Sequence, residues 1–348
     1  MFTDAWIIGQ EKLGPYTFLN NVPNPGSQGK YALKPSITLR VQTSIEQQLP
    51  DMTKTADEHY HGGALVDEIA ALASLVLGIR LEAGPLERTF EVGADPRGRP
   101  SAHLASDYPV LPINNTGPQI PWLHRDAKLA ELIFLETFPN LKQADAIAVV
   151  KSARQFQKAL WLSDASPEIA WLMFVSSVEI AANNWDKKIN SPLKRLETSY
   201  PKLVKLLDGY EGDLTNKVAA QLSGVIGSIS KFKNFMIYFK PPAPVKRPEH
   251  GLFDFEDKNF KKSMIKIYEY RSNALHGGIQ FPYPMCNPPP RISPKITAPE
   301  EKPIGLATSA LGGTWKSEDT PMYLHLFAYI VRHSLLKWWG SLVGQPTT

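Results

Sequence analysis

The chain carries two hydrophobic patterns that change over near residue 121. Beyond it, apolar residues recur at the i, i+3, i+4, i+7 spacing of one helical face, which predicts helices at about 126–136, 141–162, 167–187, 192–207, 213–239, 258–276 and 321–342. Leu214, Val218, Leu222, Val225, Ile229, Phe232, Met236 and Phe239 read as the core stripe of one long helix. Leu324, Phe327, Val331, Leu335, Trp338 and Leu342 read as that of the last. At Ser166-Pro167-Glu168 a serine can cap free amides while proline suits the first turn, so a helix is expected to start there. Faces this regular predict a mainly α domain over 122–348, built as an antiparallel helical bundle.

Residues 1–121 alternate short apolar stretches, such as YALKPSITLRVQ and RTFEVG, with Pro- and Gly-rich connections, and read as strands and turns. Among them Gly62 to Gly84 is apolar almost all round and bracketed by glycines, which predicts a buried helix. The expected N-terminal unit is therefore a small α+β module. A Pro-rich insertion at 281–304 places eight prolines in residues 282–303. No helix can run through it, and it is expected to form an extended, solvent-facing excursion beside the helix before it.

Composition sets limits on these units. The 348 residues are 43% hydrophobic and 21% charged, a globular balance with room for two domains. The lone cysteine, Cys286, excludes an intrachain disulfide. The N-terminal stretch lacks a basic region followed by an apolar core, and no run approaches the ~20 apolar residues of a membrane span, so a cytoplasmic protein without a membrane partner is expected. Charge is uneven: residues 1–120 hold 9 basic against 13 acidic residues, whereas 187–247 hold 12 against 4. Lys258, Lys261, Lys262 and Lys266 carry the excess into the next helix. Such a face suits an RNA backbone, although lysines on the outer sides of amphipathic helices also serve as plain solubilising groups.

The candidate chemistry lies at the end of that helix. In DKNFKKSMIKIYEYRSNALHGG the residues Phe260, Met264, Ile267, Tyr268, Arg271 and Leu275 share one face, and Gly277-Gly278 closes the helix. Arg271 thus falls on an apolar stripe, where a guanidinium needs a partner or a solvated cleft. His276 occupies the last turn, where the free carbonyls and helix dipole favour a cationic side chain. At about 100° per residue the two lie roughly 140° apart around the axis, which suggests that a second helix completes the site. Ser272 and Asn273, four and three residues before His276, can lie beside its imidazole and hold its tautomer. A plainer reading of the pair is a helix-capping histidine and an arginine neutralised by a buried carboxylate.

Together, Tyr268, Arg271, Ser272, His276, Gly277 and Gly278 make YEYRSNALHGG resemble the signature of the HEPN superfamily, in particular its Apea-like branch. The likeness extends more weakly over 126–343. Many members carry Asn, Asp or His directly after the arginine, whereas here Ser272 holds that place and Asn273 follows. The resemblance implies a HEPN-like antiparallel bundle, a homodimer that gathers two arginines and two histidines in one groove, and metal-independent endoribonuclease activity. It also implies a toxin or antiphage effector; the likeness does not extend over the N-terminal module, which is expected to sense a trigger or regulatory protein or to select RNA. The chemistry needs no cofactor or metal: the 2′-hydroxyl of RNA is the nucleophile, a histidine moves protons, and arginine stabilises charge on the phosphorane-like transition state. A non-catalytic HEPN module that binds RNA or a protein partner is the competing class.

Glu179 lies in the otherwise apolar WLMFVSSVEIAANNW, which makes Arg271 its expected partner and an orienting role more fitting than that of a base. Competing motifs are weak. Arg97 and His103 repeat the Arg-to-His pattern in a Pro/Gly loop, and with 12 Arg and 8 His about 0.3 chance matches arise per spacing, so the helical setting carries the signal. Asp57, Glu58, His59 and His61 hint at a metal site but lack a third ligand at a diagnostic spacing. Three SxxK matches, including Ser191/Lys194 and Ser228/Lys231, read as chance.

Overall fold

The computed structural model describes residues 1–21, 33–42, 51–56, 60, 62–90, 98–100, 109–111, 117–189, 191–207, 210, 213–222, 227–290, 297–301 and 307–343. Arg97 and His103, and Asp57, Glu58, His59 and His61, lie outside these residues. The chain is mainly helical and divides into two compact units, Met1–Asn115 with Trp122–Asn140, and Thr116–Pro121 with Leu141–Thr348. The break expected at 121/122 falls inside this interleaved stretch.

In the first unit, strands β1 (Phe2–Thr3), β2 (Trp6–Ile8), β3 (Gln10–Leu13), β4 (Tyr16–Asn20), β5 (Lys34–Pro35) and β6 (Ile37–Val41) precede helix α1 (Leu65–Leu77). β3, β4 and β6 form an antiparallel sheet in the order β3-β4-β6. α1 is as buried as its apolar run requires: every residue from Ile69 to Leu77 is inside. It starts where Asp67 accepts from the Ala64 amide at 2.9 Å, and stops at Gly78, whose φ of 67° is the left-handed state that glycine adopts without strain. Residues 79–84 therefore leave the helix. Arg80, buried, donates to Asp4 at 2.7 Å and ties this exit to the N-terminal strands.

β7 (Arg88–Thr89) and β8 (Arg99–Pro100) form a small antiparallel pair, and β9 (Asp126–Lys128) runs parallel to β2. The helix expected at 126–136 is thus corrected to β9 followed by a 3-10 helix, Leu129–Asn140. Asp126 and Lys128 point outward while Ala127 is buried, the two-residue alternation of a strand. Leu129 and Leu132 are the buried residues of the 3-10 segment, and their three-residue spacing matches its tighter turn.

The second unit contains α2 (Gln143–Leu162), α3 (Pro167–Ile189), α4 (Pro192–Ser199), α5 (Pro201–Leu207), α6 (Leu214–Leu222), α7 (Ser228–Tyr238), α8 (Asp257–His276) and α9 (Leu324–Val343), with a hairpin β10–β11 at Thr308–Ala310 and Gly313–Trp315. α3 is the central element, packing on α2, α7, α8 and α9. Its Trp171 stacks on Phe327 of α9 at 4.7 Å and on Phe281 at 5.5 Å, while Phe232 of α7 meets Tyr268 of α8 at 5.2 Å. All six residues of the expected α9 stripe are buried. α3 begins at Pro167, with the amides of Ile169 and Ala170 both donating to the Ser166 carbonyl at 3.0 Å.

Two expected helices are divided. Pro201 separates α4 from α5, since its ring blocks continuation from the preceding turn. Of the stripe expected as one helix over 213–239, Leu214, Val218 and Leu222 lie in α6, Ile229, Phe232 and Met236 lie in α7 and Phe239 caps it, while Val225 is outside the described residues; Gly227, at φ 78°, precedes α7 in a left-handed state that no helix interior accommodates. α4, α5 and α6 pack a small core of their own from Leu196, Ala219, Leu203, Val204, Leu207, Val218 and Leu222. Ser191 caps α4 by accepting from the Lys194 amide at 3.2 Å, an ordinary structural use of one SxxK match.

The Pro-rich insertion is also corrected. Its first part is packed rather than solvent-facing: Phe281 and Met285 are buried, Tyr283–Cys286 forms a 3-10 turn, and Trp171 donates to the Met285 carbonyl at 3.2 Å. Gln119 donates to the Cys286 carbonyl at 2.8 Å. Burial, with Glu168 nearby, pushes the Cys286 thiol up to about 12, so it is held protonated. Proline argues against an α-helix here, but it carries no information against burial.

Candidate functional site

α8 runs over the expected residues with Phe260, Met264, Ile267 and Tyr268 buried, whereas Leu275, expected on the same face, is 51% exposed because the last turn emerges into solvent. The helix ends at His276, where the amides of Gly277 and Ile279 turn back onto the Asn273 carbonyl at 2.8 and 3.2 Å. Gly278, at φ 65°, makes that reversal possible.

Arg271 leaves the helix toward α3, where its Nη2 donates to Glu179 Oε2 at 2.6 Å. Tyr268 donates to the other carboxylate oxygen at 2.9 Å, and the guanidinium lies 5.6 Å from the Tyr268 ring centre. Both side chains of the ion pair are mostly buried, 18% and 16% exposed. Burial, together with the adjacent Glu179 charge, pushes the Tyr268 hydroxyl up to about 12, so it remains a donor at any physiological pH. Glu179 is therefore occupied at both oxygens and acts as a brace. Arg271 Nε is buried without a hydrogen-bond partner.

These groups open onto a cleft of about 580 Å³ that Arg271, Ser272, Asn273 and His276 border together. The 140° separation of Arg271 and His276 on their helix does not keep them from sharing it, because a cleft of this size spans the end of α8. His276 is exposed. Ser272 and Asn273 line the same space, yet neither hydrogen-bonds the imidazole among the described residues. The rest of the lining was not foreseen: Gly227, Ser228 and Ile229 from the start of α7, and Tyr200 from the α4–α5 junction. Tyr200-Pro201 is legible in the sequence as a helix boundary, but nothing there says which way the ring points.

Buried polar contacts hold that lining in place. Arg195 of α4 and Asp186 of α3 form an ion pair at 2.5 Å, with side chains 10% and 7% exposed, and Arg195 also donates to the Asp186 carbonyl at 3.0 Å. Lys231 of α7 is buried beside them, and its pKa is lowered by that burial against the opposing pull of Asp186. The α4 side of this lining is thus anchored to α3.

The lysines expected to bind RNA lie elsewhere. Lys258 and Lys261 are exposed, but Lys262 pairs with Glu318 at 3.3 Å and Lys266 with Asp319 at 2.9 Å. Lys262 and Lys266 line a separate cleft of about 480 Å³ with Lys316, Ser317 and Glu301. At 1.5 Å per residue, Lys262 is about 21 Å along α8 from His276. The structure brings Arg271, His276, Ser272, Asn273 and Glu179 to one end of the helix and none of the four lysines to their cleft.

No family model, curated protein or solved structure matches the chain significantly. Among the described residues, no helix is long and apolar enough to cross a membrane.

Proposed function

We propose that the protein is a metal-independent endoribonuclease of the HEPN type, working in the cleft at the end of α8. The observation that carries this reading is an arginine braced by Glu179 at the border of a cleft that it shares with an exposed histidine. Arg271 receives the scissile phosphate and stabilises the charge that grows on its oxygens. His276 moves protons, either from the attacking 2′-hydroxyl or to the departing 5′-oxygen. A second copy of the chain supplies the other acid–base group, so the working form in this reading is a homodimer in the cytoplasm, serving as a toxin or antiphage effector that the N-terminal unit restrains until triggered.

Purified protein is expected to cleave RNA in excess EDTA and to leave 2′,3′-cyclic phosphate and 5′-hydroxyl ends. Loss of cleavage on chelation, restored by a divalent ion, rejects the mechanism. Dilution to the monomer is expected to abolish activity, and full activity in a demonstrated monomer removes the dimer from it. One observation favours a second reading, a non-catalytic HEPN-type module: neither Ser272 nor Asn273 orients the imidazole. Such a module binds RNA or a protein without cutting, and salt-sensitive RNA binding with no cleavage products identifies it.

A further inference from the structure

We infer that Tyr200 is the shelf on which an unpaired nucleobase stacks beside the phosphate held by Arg271, so that this residue selects single-stranded RNA. The inference rests on the cleft being an RNA site. Tyr200 is half-exposed at 49%, it borders the same cleft as Arg271 and His276, and no hydrogen bond engages its hydroxyl among the described residues. Ile229, 39% exposed, borders the same cleft.

The ring is free but its backbone is not. The Tyr200 amide donates to the Leu196 carbonyl at 2.8 Å, its carbonyl accepts from the Val204 amide at 3.1 Å, and Pro201 follows directly. The residue is thereby held at a helix junction that the Arg195–Asp186 pair anchors to α3. An aromatic ring with two rotatable bonds on a fixed backbone loses little freedom on binding, which suits a stacking surface. Tyr200 borders the cleft together with the polar end of α8, so one cleft offers an arginine for a phosphate and an aromatic ring for a base, the two surfaces one nucleotide presents. A base in a duplex has both faces covered by its neighbours and cannot use the ring, whereas every unpaired base can.

The test uses full-length protein carrying His276→Ala to prevent turnover, a fluorescent single-stranded RNA, and the same strand annealed to its complement, with binding read by anisotropy. Adding Tyr200→Ala is expected to weaken single-strand binding about tenfold, with Tyr200→Phe within about twofold of the parent and the duplex indifferent to both. The loss is expected to be the same at low and high salt, because stacking releases no counterions, whereas loss of a phosphate contact changes the salt slope. Unchanged melting temperatures show that the variants fold.

The proposal is overturned if Tyr200→Ala and Tyr200→Phe lose affinity alike, if the duplex suffers equally, or if Tyr200→Ala alters only the oligomeric state, which assigns the ring to a protein contact. Absence of any RNA binding overturns it together with the nuclease reading. Cleavage by the wild type that Tyr200→Ala leaves untouched removes the shelf and keeps the nuclease. Tyr200-dependent binding without cleavage by the wild type keeps the shelf and removes the nuclease.

Discussion

Two arginines of the helical unit each meet a glutamate in a largely buried setting, and they are finished differently. Arg247 donates through Nε and Nη2 to the two oxygens of Glu300 at 2.9 and 2.5 Å, and Nη2 also reaches the Phe253 carbonyl at 2.5 Å. Glu300, only 2% exposed, accepts in addition from the Phe253 amide at 2.8 Å. The adjoining backbone closes the arrangement, with the amides of Glu300 and Glu301 on the Gly251 carbonyl and that of Tyr323 on the Glu300 carbonyl. Arg271 makes one contact with Glu179, keeps an unpaired Nε, and stands at a cleft beside an exposed histidine. A closed network stores nothing for a ligand, and its work is to join the segment before α8 to the segment before α9. Arg271 differs in standing at the border of a cleft with fewer contacts to its carboxylate, and on the proposed reading that difference separates a binding arginine from a structural one.

The sharpest way to break this contrast is to remove each carboxylate in turn. Glu300→Ala leaves the buried Phe253 amide without its acceptor and the partly buried Arg247 with only the Phe253 carbonyl, and is expected to cost about 2–4 kcal/mol of stability. Urea unfolding followed by circular dichroism measures it, and a loss below about 1 kcal/mol means the network is not structural. Glu179→Gln retains a hydrogen-bonding side chain opposite Tyr268 and disturbs one ionic contact rather than three acceptor contacts, so its cost is expected to be smaller, about 1–2 kcal/mol. If it destabilises as much as Glu300→Ala, the two pairs are alike and Arg271 is a fold residue.

On the proposed reading the functional effects run the other way. His276→Ala is expected to slow cleavage at least ~100-fold with RNA affinity nearly unchanged, since its contribution is proton transfer. Its exposed position means that the melting temperature should hold. Glu179→Gln, which leaves the guanidinium in place but unbraced, is expected to slow cleavage about tenfold, and Glu300→Ala should leave the rate per folded molecule unchanged. A correctly folded double variant lacking both Arg271 and His276 that still cuts RNA ends the assignment of catalysis to this cleft.

How much of this could be read from the chain differs by region for physical reasons. α9 was legible because a 3.6-residue apolar stripe six positions long has one natural burial, and it is buried as read. α8 and its glycine stop were legible likewise, as was the pairing of Glu179 with Arg271, since two charges on apolar faces each need a partner. β9 was not: a three-residue strand whose partner, β2, lies more than a hundred residues away has no local signature. The division at Gly227 was missed because the apolar stripe continues across it. Counting lysines could not reveal that Glu318 and Asp319 return over Lys262 and Lys266, because that proximity is made by the fold. The closed Arg247–Glu300 network was hidden by the prolines around it.

The smallest expected effect is a trace that the closed network leaves on its neighbour. Glu301 is partly buried, and its carboxyl is pushed from an ordinary 4.5 up to about 7, first by that burial and then by the charges of Glu300 and Asp254, with Arg247 pulling weakly the other way. Arg247 is already engaged by Glu300, so Glu301 gains little from it. A carboxyl whose pKa is higher folded than unfolded binds its proton more tightly in the native state. On this account the folded state is favoured below 4.5, and that advantage is lost as pH rises through about 7. Glu301→Gln, which mimics the protonated form at every pH, is therefore expected to melt above the wild type at pH 8, and the gap should narrow through pH 7 and vanish by about 4.5. Differential scanning calorimetry of the two proteins across this range measures it. A gap that stays constant with pH, or that opens on acidification, shows that Glu301 is not held protonated by its neighbours and that the closed pair shields its surroundings instead of burdening them.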